Sequence, residues 1–162
     1  MRVAAGLLIL VICSAWGFRR SLLLKRRCAL LRELRLLVEQ YSIEISCTAP
    51  TLAELAGNSG GEFGLLLCEC SGSETDIRRA WSNAVDRLSA GPGCGSEEVS
   101  LLRELGRELG TCPAESQLAL LKLYSARFDK LISAAEKSAE QQGRMYRSGG
   151  VLAGLGAAVM LL

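Results

Sequence analysis

Histidine is absent from this chain of 162 residues, and aromatic residues make up only 5% of it. Without histidine, the sequence excludes histidine-based metal sites, Ser–His–Asp triads and Cys–His nucleophile pairs. Three prolines and 17 glycines exclude collagen-like and proline-rich low-complexity chains. A net charge of +2 is also too small to predict nucleic-acid binding, unless the charge is unevenly distributed.

Hydrophobic residues are abundant, at 49% of the chain. The mean hydropathy of +0.25 is high for a wholly soluble domain. Leucine and alanine supply most of this apolar content and β-branched residues are few, which favours helix over strand. The length fits one domain of ordinary size.

Charge is distributed very unevenly along the chain. Seven of the 19 basic residues lie within residues 19–35, where Glu33 is the only acid, so that this segment carries +6. Residues 36–162 hold 11 basic and 16 acidic side chains and carry −5. The small net charge therefore hides a basic collar, residues 19–35, attached to an acidic body.

Two long runs carry no charge, namely the 16 residues 3–18 and the 15 residues 148–162. As helices they extend roughly 23 Å, at about 1.5 Å per residue, which is short of the roughly 30 Å hydrocarbon core of a bilayer. Flanking arginine and lysine side chains can reach the interface, and the bilayer can thin around a short span. Both runs are predicted to be short transmembrane helices.

Each run also has an alternative interpretation. The first resembles a cleaved signal peptide, with Arg2 in the basic region and Ala15 near the cleavage point. The collar argues against that alternative, because basic residues directly after an apolar segment resist translocation. The second run has the alternative of a buried core helix.

Basic residues follow the first run and precede the second, which predicts the orientation of both spans by the positive-inside rule. The membrane-flanking residues are Arg19, Arg20, Lys25, Arg26, Arg27, Arg144 and Arg147. We therefore expect an N-terminal transmembrane helix (1–18), a cytoplasmic helical domain (19–147) and a C-terminal transmembrane helix (148–162) in the cell membrane.

Helical periodicity continues beyond the collar. The first helix is predicted to run to about Ile45 or Cys47, and its buried stripe comprises Leu30, Leu31, Leu34, Leu37, Val38 and Tyr41. Pro50 ends it, and Thr51 with Glu54 forms a capping-box pattern for a short second helix. A further short helix holds Phe63, Leu66 and Leu67, with a loop predicted over residues 70–73.

The remaining helices show clear apolar stripes. The stripe of the fourth helix comprises Ile77, Ala80, Trp81, Ala84, Val85 and Leu88. The stripe of the fifth comprises Val99, Leu102, Leu105 and Leu109, and that of the last helix comprises Leu121, Tyr124, Phe128, Leu131 and Ala135. Ser96 is predicted to cap the fifth helix, Gly110 to end it, and Thr111 to cap the last. The fold class is thus all-α: an antiparallel helical bundle of about six helices, flanked by the two transmembrane helices, which are expected to pack together.

Catalytic groups are sparse in this sequence. Of 7 cysteines, only Cys68 and Cys70 lie close together, and their C-x-C spacing differs from the C-x-x-C of redox and zinc sites. No P-loop or nucleophile motif accompanies the carboxylates. The sequence therefore predicts no enzymatic activity, no cofactor and no metal, with a thiol enzyme using Cys68 and Cys70 as a remaining hypothesis.

Two sets of glycines interrupt predicted helices. Gly106 has two interpretations, a close approach between helices and a tolerated surface glycine. Gly150 and Gly154 have the small-xxx-small spacing with which membrane helices pack closely, or they face lipid by chance.

An ordered set of short motifs spans nearly the whole chain. They are Gly17-Phe18, Leu30-Leu31-Arg32-Glu33-Leu34, Glu44-Ile45, Ala49-Pro50-Thr51-Leu52, Ala80-Trp81, Leu105-Gly106-Arg107-Glu108-Leu109-Gly110 with Gln117, and residues 137–155. In this order they resemble the stage III sporulation protein AB family of endospore-forming bacteria. Cys112 stands where that family usually has an acidic residue, and Gly149 where it prefers leucine.

The resemblance implies a non-enzymatic membrane component on the mother-cell side of a channel that joins mother cell and forespore. The family is similar to the platform (F) component of type II secretion and type IV pilus systems, whose cytoplasmic domains are six-helix bundles. The implied partners are the cytoplasmic secretion-type ATPase of the same operon, other membrane subunits of the channel and the lipid bilayer, with no nucleic acid.

Candidate partner-binding residues are polar positions within or beside the shared motifs, namely Glu44, Arg107 and Gln117. The collar has two interpretations: it sets topology by contact with anionic lipid, or it docks an acidic partner. An exported soluble helical protein with a cleaved signal is the alternative to the channel scaffold.

Overall fold

A computed structural model gives the fold. It describes the backbone of residues 2–48, 50–74, 76–111 and 113–161. Side chains are described for residues 12, 15–48, 50, 51, 53–74, 76–111, 113–142 and 145.

Six α-helices make up the described chain, which contains no strand. They are α1 (Arg2–Thr48), α2 (Leu52–Gly57), α3 (Gly61–Ser73), α4 (Ile77–Ala90), α5 (Ser96–Glu108) and α6 (Ala114–Leu161). The all-α class and the number of helices predicted from the sequence are confirmed.

The chain divides into two compact units. One comprises Met1–Cys28 with Ala134–Leu162, and so contains the first part of α1 and the last part of α6. The other is Ala29–Ser133 and contains the rest of α1 and α6 with the four shorter helices.

Neighbouring short helices pack in chain order, α2 on α3, α3 on α4 and α4 on α5. The predicted stripes supply much of the core of the second unit, where Leu31, Tyr41, Trp81, Leu105 and Phe128 are all buried. In α1 and α4 the stripes match the prediction closely, because a period of 3.6 residues leaves little ambiguity about the buried face.

The connection from α1 to α3 is fixed by polar contacts. The predicted capping box is present at α2: Thr51 Oγ1 accepts a hydrogen bond from the Glu54 amide, and the Glu54 carboxylate accepts one from the Thr51 amide. The Tyr41 hydroxyl lies 2.5 Å from Ser59 Oγ, and Glu33 Oε1 accepts a bond of 2.7 Å from the Glu62 amide. These bonds hold the α2–α3 segment against α1.

The loop predicted over residues 70–73 is wrong, because α3 continues to Ser73. Cys70 is 2% exposed, and its packing in the core extends a helix whose Ser-Gly-Ser ending has low intrinsic helix propensity. The Ser73 hydroxyl donates to the Cys70 carbonyl at 3.0 Å and occupies an acceptor of the last turn.

Two predicted helix caps are also wrong. At α5 the cap is Gly95, whose extended backbone precedes the first helical residue, Ser96. Thr111 does not cap α6, because it lies three residues before Ala114, the first residue of that helix, and its hydroxyl donates to the Glu108 carbonyl at the end of α5. Gly110 does follow the end of α5 as predicted, with a φ of 76° that suits glycine.

The buried face of α5 differs from the predicted stripe near its start. Leu101 and Glu98 are buried, whereas Val99 is only half-buried. Leu102, Leu105 and Leu109 are buried as predicted. In α6, Leu131 is half-buried while the other members of its stripe are buried.

Within the described residues, we find no helix with enough length and apolar character to cross a membrane. Most side chains of the predicted spans 1–18 and 148–162 lie outside the described residues, and so do those of Arg144 and Arg147. The glycine pair Gly150 and Gly154 also falls there.

Candidate protein-docking surface

Trp81 of α4 packs against Gly106 of α5. A methyl group at Gly106 would lie 2.3 Å from Cδ1 and 2.3 Å from Nε1 of the Trp81 indole, so the ring occupies the space of a side chain at position 106. The indole Nε1 donates a 2.8 Å hydrogen bond to the Leu102 carbonyl. Of the two interpretations of Gly106, the structure supports the close approach between helices.

A groove of about 290 Å³ opens beside this contact. Its lining residues are Arg78, Trp81, Ser82, Asp86, Arg103, Gly106 and Arg107. A second depression of about 620 Å³, near the start of α5, shares Arg103 and Arg107 with it. We call the first of these the α4–α5 groove.

Arginine dominates the charge of the α4–α5 groove. Arg103 forms a 2.6 Å ion pair with Asp86 and thereby joins α5 to α4. Arg78 and Arg107 have no carboxylate within ion-pair distance among the residues that the structure describes. The lining thus carries three guanidinium groups against one carboxylate.

Most other described arginines of the second unit are neutralised by a carboxylate of another helix. Those in pairs across helices are Arg35 with Asp129, Arg87 with Glu69, and Arg127 with Glu104, at 3.0, 3.3 and 3.0 Å. Arg35 also pairs with Glu39 on its own helix. These exposed pairs each contribute little stability, but they show where charge is already matched within the fold.

The three predicted partner-binding residues lie on three different helices. Arg107 is exposed on α5 and lines the α4–α5 groove. Gln117 is half-buried in the first turn of α6, where its backbone N–H donates to the Pro113 carbonyl at 3.0 Å. Across the described part of the chain, no hydrogen bond or ion pair joins Arg107 to Glu44.

Glu44 has a bracing role within the fold. It is half-buried on α1, accepts a 2.8 Å hydrogen bond from Gln40 and lies 3.5 Å from the Asn58 side-chain amide. Gln40 also donates to the Asn58 carbonyl at 2.9 Å. Glu44 therefore helps to hold the end of α2 on α1, which leaves Arg107 as the better placed of the two for contact with a partner.

The collar lies on α1 across the two units. Arg19, Arg20, Lys25 and Arg26 are exposed, and Arg27 is half-buried. Large apolar side chains are exposed beside them, with Trp16 at 72% and Phe18 at 54%. Exposed tryptophan next to arginine is typical of the interface between membrane and water.

Two buried tyrosines have perturbed acidities. Burial raises the pKa of Tyr41 to about 12, and its bond with Ser59 opposes that rise. Burial, with the 3.1 Å bond that its hydroxyl donates to Glu108, raises the pKa of Tyr124 as well. Arg127 lies 5.3 Å from the centre of the Tyr124 ring. Both phenols stay protonated at neutral pH and serve as structural donors between elements.

Cys68 and Cys70 have different environments on α3. Cys68 is exposed and Cys70 is buried, because residues two apart on a helix do not face each other. Throughout the described residues, no three His, Cys, Asp or Glu side chains are grouped so that they could hold a metal ion.

Arg78, Arg103 and Asp86 belong to the groove but were not singled out from the sequence. Arg103 and Arg107 are four residues apart on one helix, and Arg78 is three residues before Trp81 on another. These spacings place each pair on one helix face. They do not indicate that the two faces meet, which depends on the packing of Trp81 against Gly106.

Comparison with known proteins identifies a family. No curated protein and no solved structure is similar enough to the chain to count as a match. The profile of the family described as stage III sporulation protein AB matches residues 2–162. The match covers the motifs around Glu44, Trp81, Gly106 and Gln117, and the chain therefore belongs to the stage III sporulation protein AB family.

Proposed function

We propose that this protein is a non-enzymatic membrane scaffold of a channel complex between mother cell and forespore, and that it docks a cytoplasmic secretion-type ATPase. The observation that carries the proposal is membership of a stage III sporulation family over residues 2–162. Its place would be the mother-cell membrane around the forespore, with the central helical domain in the cytoplasm.

Membrane anchoring is supported by the exposed surface of α1. Ile12, Trp16, Phe18 and Leu22 are all more than half exposed, and these exposed apolar residues stand beside the basic collar. Large exposed apolar side chains are costly in water but favourable in lipid, and neighbouring arginines suit anionic headgroups. Ile12, Trp16 and Phe18 belong to the uncharged run 3–18.

A scaffold role is supported by the way the second unit is held together. Ion pairs and hydrogen bonds join α1 to α6, α3 to α4, α4 to α5 and α5 to α6. These pairs each add little stability, and the buried stripes hold the helices together, so that surface residues such as Arg107 lie at defined positions. A surface that is already ordered allows a second protein to dock with little rearrangement.

Binding of the full chain to the ATPase of the same operon tests the docking. We expect the chain, purified in a neutral detergent and immobilised, to bind the ATPase at micromolar concentration. An unrelated two-span membrane protein in the same detergent is the control. Failure of the folded chain to bind under these conditions would contradict the docking proposal.

Quenching by brominated lipids tests the anchoring. In a Trp81→Phe variant Trp16 is the only tryptophan, and we expect bromine on the acyl chains to quench its fluorescence strongly. The matched Trp16→Phe variant retains buried Trp81 and should be quenched little. Equal quenching would contradict the anchoring, and a mature N-terminus near Trp16 would identify a cleaved signal instead.

A further inference from the structure

The geometry points to the α4–α5 groove as a docking site for an acidic protein segment, whose carboxylates bind Arg78 and Arg107 beside the Trp81–Gly106 contact. This inference rests on the proposed function, because the segment would belong to the docked ATPase. It adds a location and a chemistry that the family match does not give.

Unmatched charge is the first argument. Among described arginines of the second unit, Arg35, Arg87, Arg103 and Arg127 have carboxylate partners. Arg78, Arg79 and Arg107 have none among the described residues, and two of these three line the same groove from different helices. A concave surface that gathers unneutralised guanidinium groups is complementary to negative charge.

The charge of the surrounding chain strengthens this argument. Residues 36–162 carry a net −5, yet the groove within them has three arginines and only Asp86 to oppose them. The groove is therefore more positive than this part of the chain on average, which favours an acidic partner at the groove. A local reversal of charge of this kind guides the approach of a charged partner and fixes the orientation in which it docks.

The shape and composition of the groove favour protein as the ligand. A guanidinium group binds a carboxylate through two parallel hydrogen bonds, and arginine is among the residue types that most often dominate protein interfaces. The Trp81 indole is buried, with 7% of it exposed, and its Nε1 already donates to Leu102, so only a small apolar edge of the ring lines the groove and the arginines supply the contacts with the ligand.

Asp86 makes phosphate a poorer occupant. Its carboxylate lines the groove 2.6 Å from Arg103, where it neutralises one of the three cations and repels a doubly charged phosphate. Singly charged carboxylates spaced along a peptide can reach Arg78 and Arg107 separately. None of the large exposed apolar residues that the structure describes, such as Trp16 on α1, lines the groove, so a lipid surface would find no apolar anchor there.

Charge reversal with a matched control tests the site. The groove variant is Arg78→Glu with Arg107→Glu. The control is Arg79→Glu with Lys122→Glu, which changes the net charge equally at exposed residues outside the groove lining. We expect affinity of the full chain in neutral detergent for the ATPase to fall at least about tenfold in the groove variant and to change little in the control.

Salt dependence provides a second measurement on the same proteins. Raising the salt from about 50 to 300 mM should weaken binding by the wild type more than binding by the groove variant, because the screened contacts are absent from the latter. Circular dichroism and thermal melts check folding. If the glutamate variant does not fold, Arg78→Gln with Arg107→Gln removes the charges more mildly and carries the same expectation.

The outcomes separate the two proposals. If the wild type binds the ATPase and the groove variant binds as well as the control, the groove inference is wrong and the docking proposal stands. If the wild type does not bind the ATPase, the docking proposal is wrong. The groove is then tested with a blocked decaglutamate peptide, in proteins that also carry Trp16→Phe so that Trp81 is the only tryptophan. A change in Trp81 fluorescence that is lost in the groove variant supports the site.

When the wild type does not bind the ATPase, three results would overturn the inference. The first is equal decaglutamate titration of the groove and control variants. In the second, phosphatidylglycerol vesicles bind in a way that depends on Arg78 and Arg107 while decaglutamate does not bind, which would make the groove a lipid site. The third is self-association of the wild type that only the groove variant abolishes, which would make the occupant a second copy of the chain.

Discussion

Replacing Gly106 with alanine tests the contact on which the α4–α5 surface depends. The new methyl group would lie 2.3 Å from the Trp81 ring, far inside van der Waals contact. Trp81 is held by its hydrogen bond to the Leu102 carbonyl and by Phe63, whose ring centre lies 5.0 Å away. Relief of the clash therefore requires the indole to leave its site or α4 to move away from α5.

Three terms set the expected magnitude. Overpacking of a close contact costs about 1–3 kcal/mol. Loss of the Trp81–Leu102 hydrogen bond adds about 1 kcal/mol. Alanine in a helix recovers about 1 kcal/mol relative to glycine. We therefore expect Gly106→Ala to lower the free energy of unfolding by about 1–3 kcal/mol, or several degrees in the melting temperature of a chain this size.

Gly72→Ala is the matched control. Gly72 lies in α3, and a methyl group there would meet nothing within 4 Å. Only the gain in helix propensity applies, so this variant should be as stable as the wild type or slightly more stable. Thermal melts followed by circular dichroism compare the two variants.

A double-mutant cycle assigns the effect to the indole. In a Trp81→Leu background the clash is absent, and the Gly106→Ala penalty should largely disappear. If Gly106→Ala is as stable as Gly72→Ala, or if its penalty persists without Trp81, the close-approach interpretation of Gly106 is refuted.

Three further predictions concern single side chains. Tyr41→Phe should cost about 1 kcal/mol at neutral pH by removing the bond to Ser59. Folding raises the pKa of Tyr41 from 10.0 to about 12, so the stability that this phenol contributes to the wild type is fully present below pH 10 and is lost as the pH rises through about 12. Thermal melts at increasing alkaline pH should therefore show a shallower decline of stability for Tyr41→Phe. Thr51→Ala should cost about 1 kcal/mol in melts by removing the α2 cap, and a change near zero would count against the capping box. Cys68→Ser should leave both stability and ATPase binding unchanged, whereas Cys70→Ser should destabilise by about 1–2 kcal/mol because its thiol is buried. Loss of ATPase binding in Cys68→Ser at an unchanged melting temperature would instead place Cys68 at the docking surface.

The core could be predicted wherever the sequence repeats a helical period. The stripe that includes Leu34 and Tyr41 in α1, and the one that includes Trp81 in α4, were identified from spacing alone because several turns agree on one face. The start of α5 was less predictable. A single turn with Glu97, Glu98 and Val99 gives no clear face, and the structure buries the glutamate at position 98.

Errors at helix ends have a different origin. Thr111 and Ser96 both have cap-forming side chains near a helix start, but a hydroxyl bonds to whichever backbone group the chain path brings within reach. For Thr111 that group is the Glu108 carbonyl of the preceding helix. The choice depends on the path of the turn around Gly110, which residue type alone does not specify.

The candidate site shows the same limit more sharply. Arg78 and Arg79 are adjacent, exposed and equal in charge, and in the sequence only the spacing of three residues from Arg78 to Trp81 distinguishes them. One lines the α4–α5 groove and the other does not, because successive residues on a helix point about 100° apart and only one direction meets α5. The sequence did single out Gly106 and Arg107. Without a side chain at position 106 the indole can pack against α5, and that packing brings the α4 arginine into the same groove as Arg107, so one glycine determines both the core contact and the surface charge beside it.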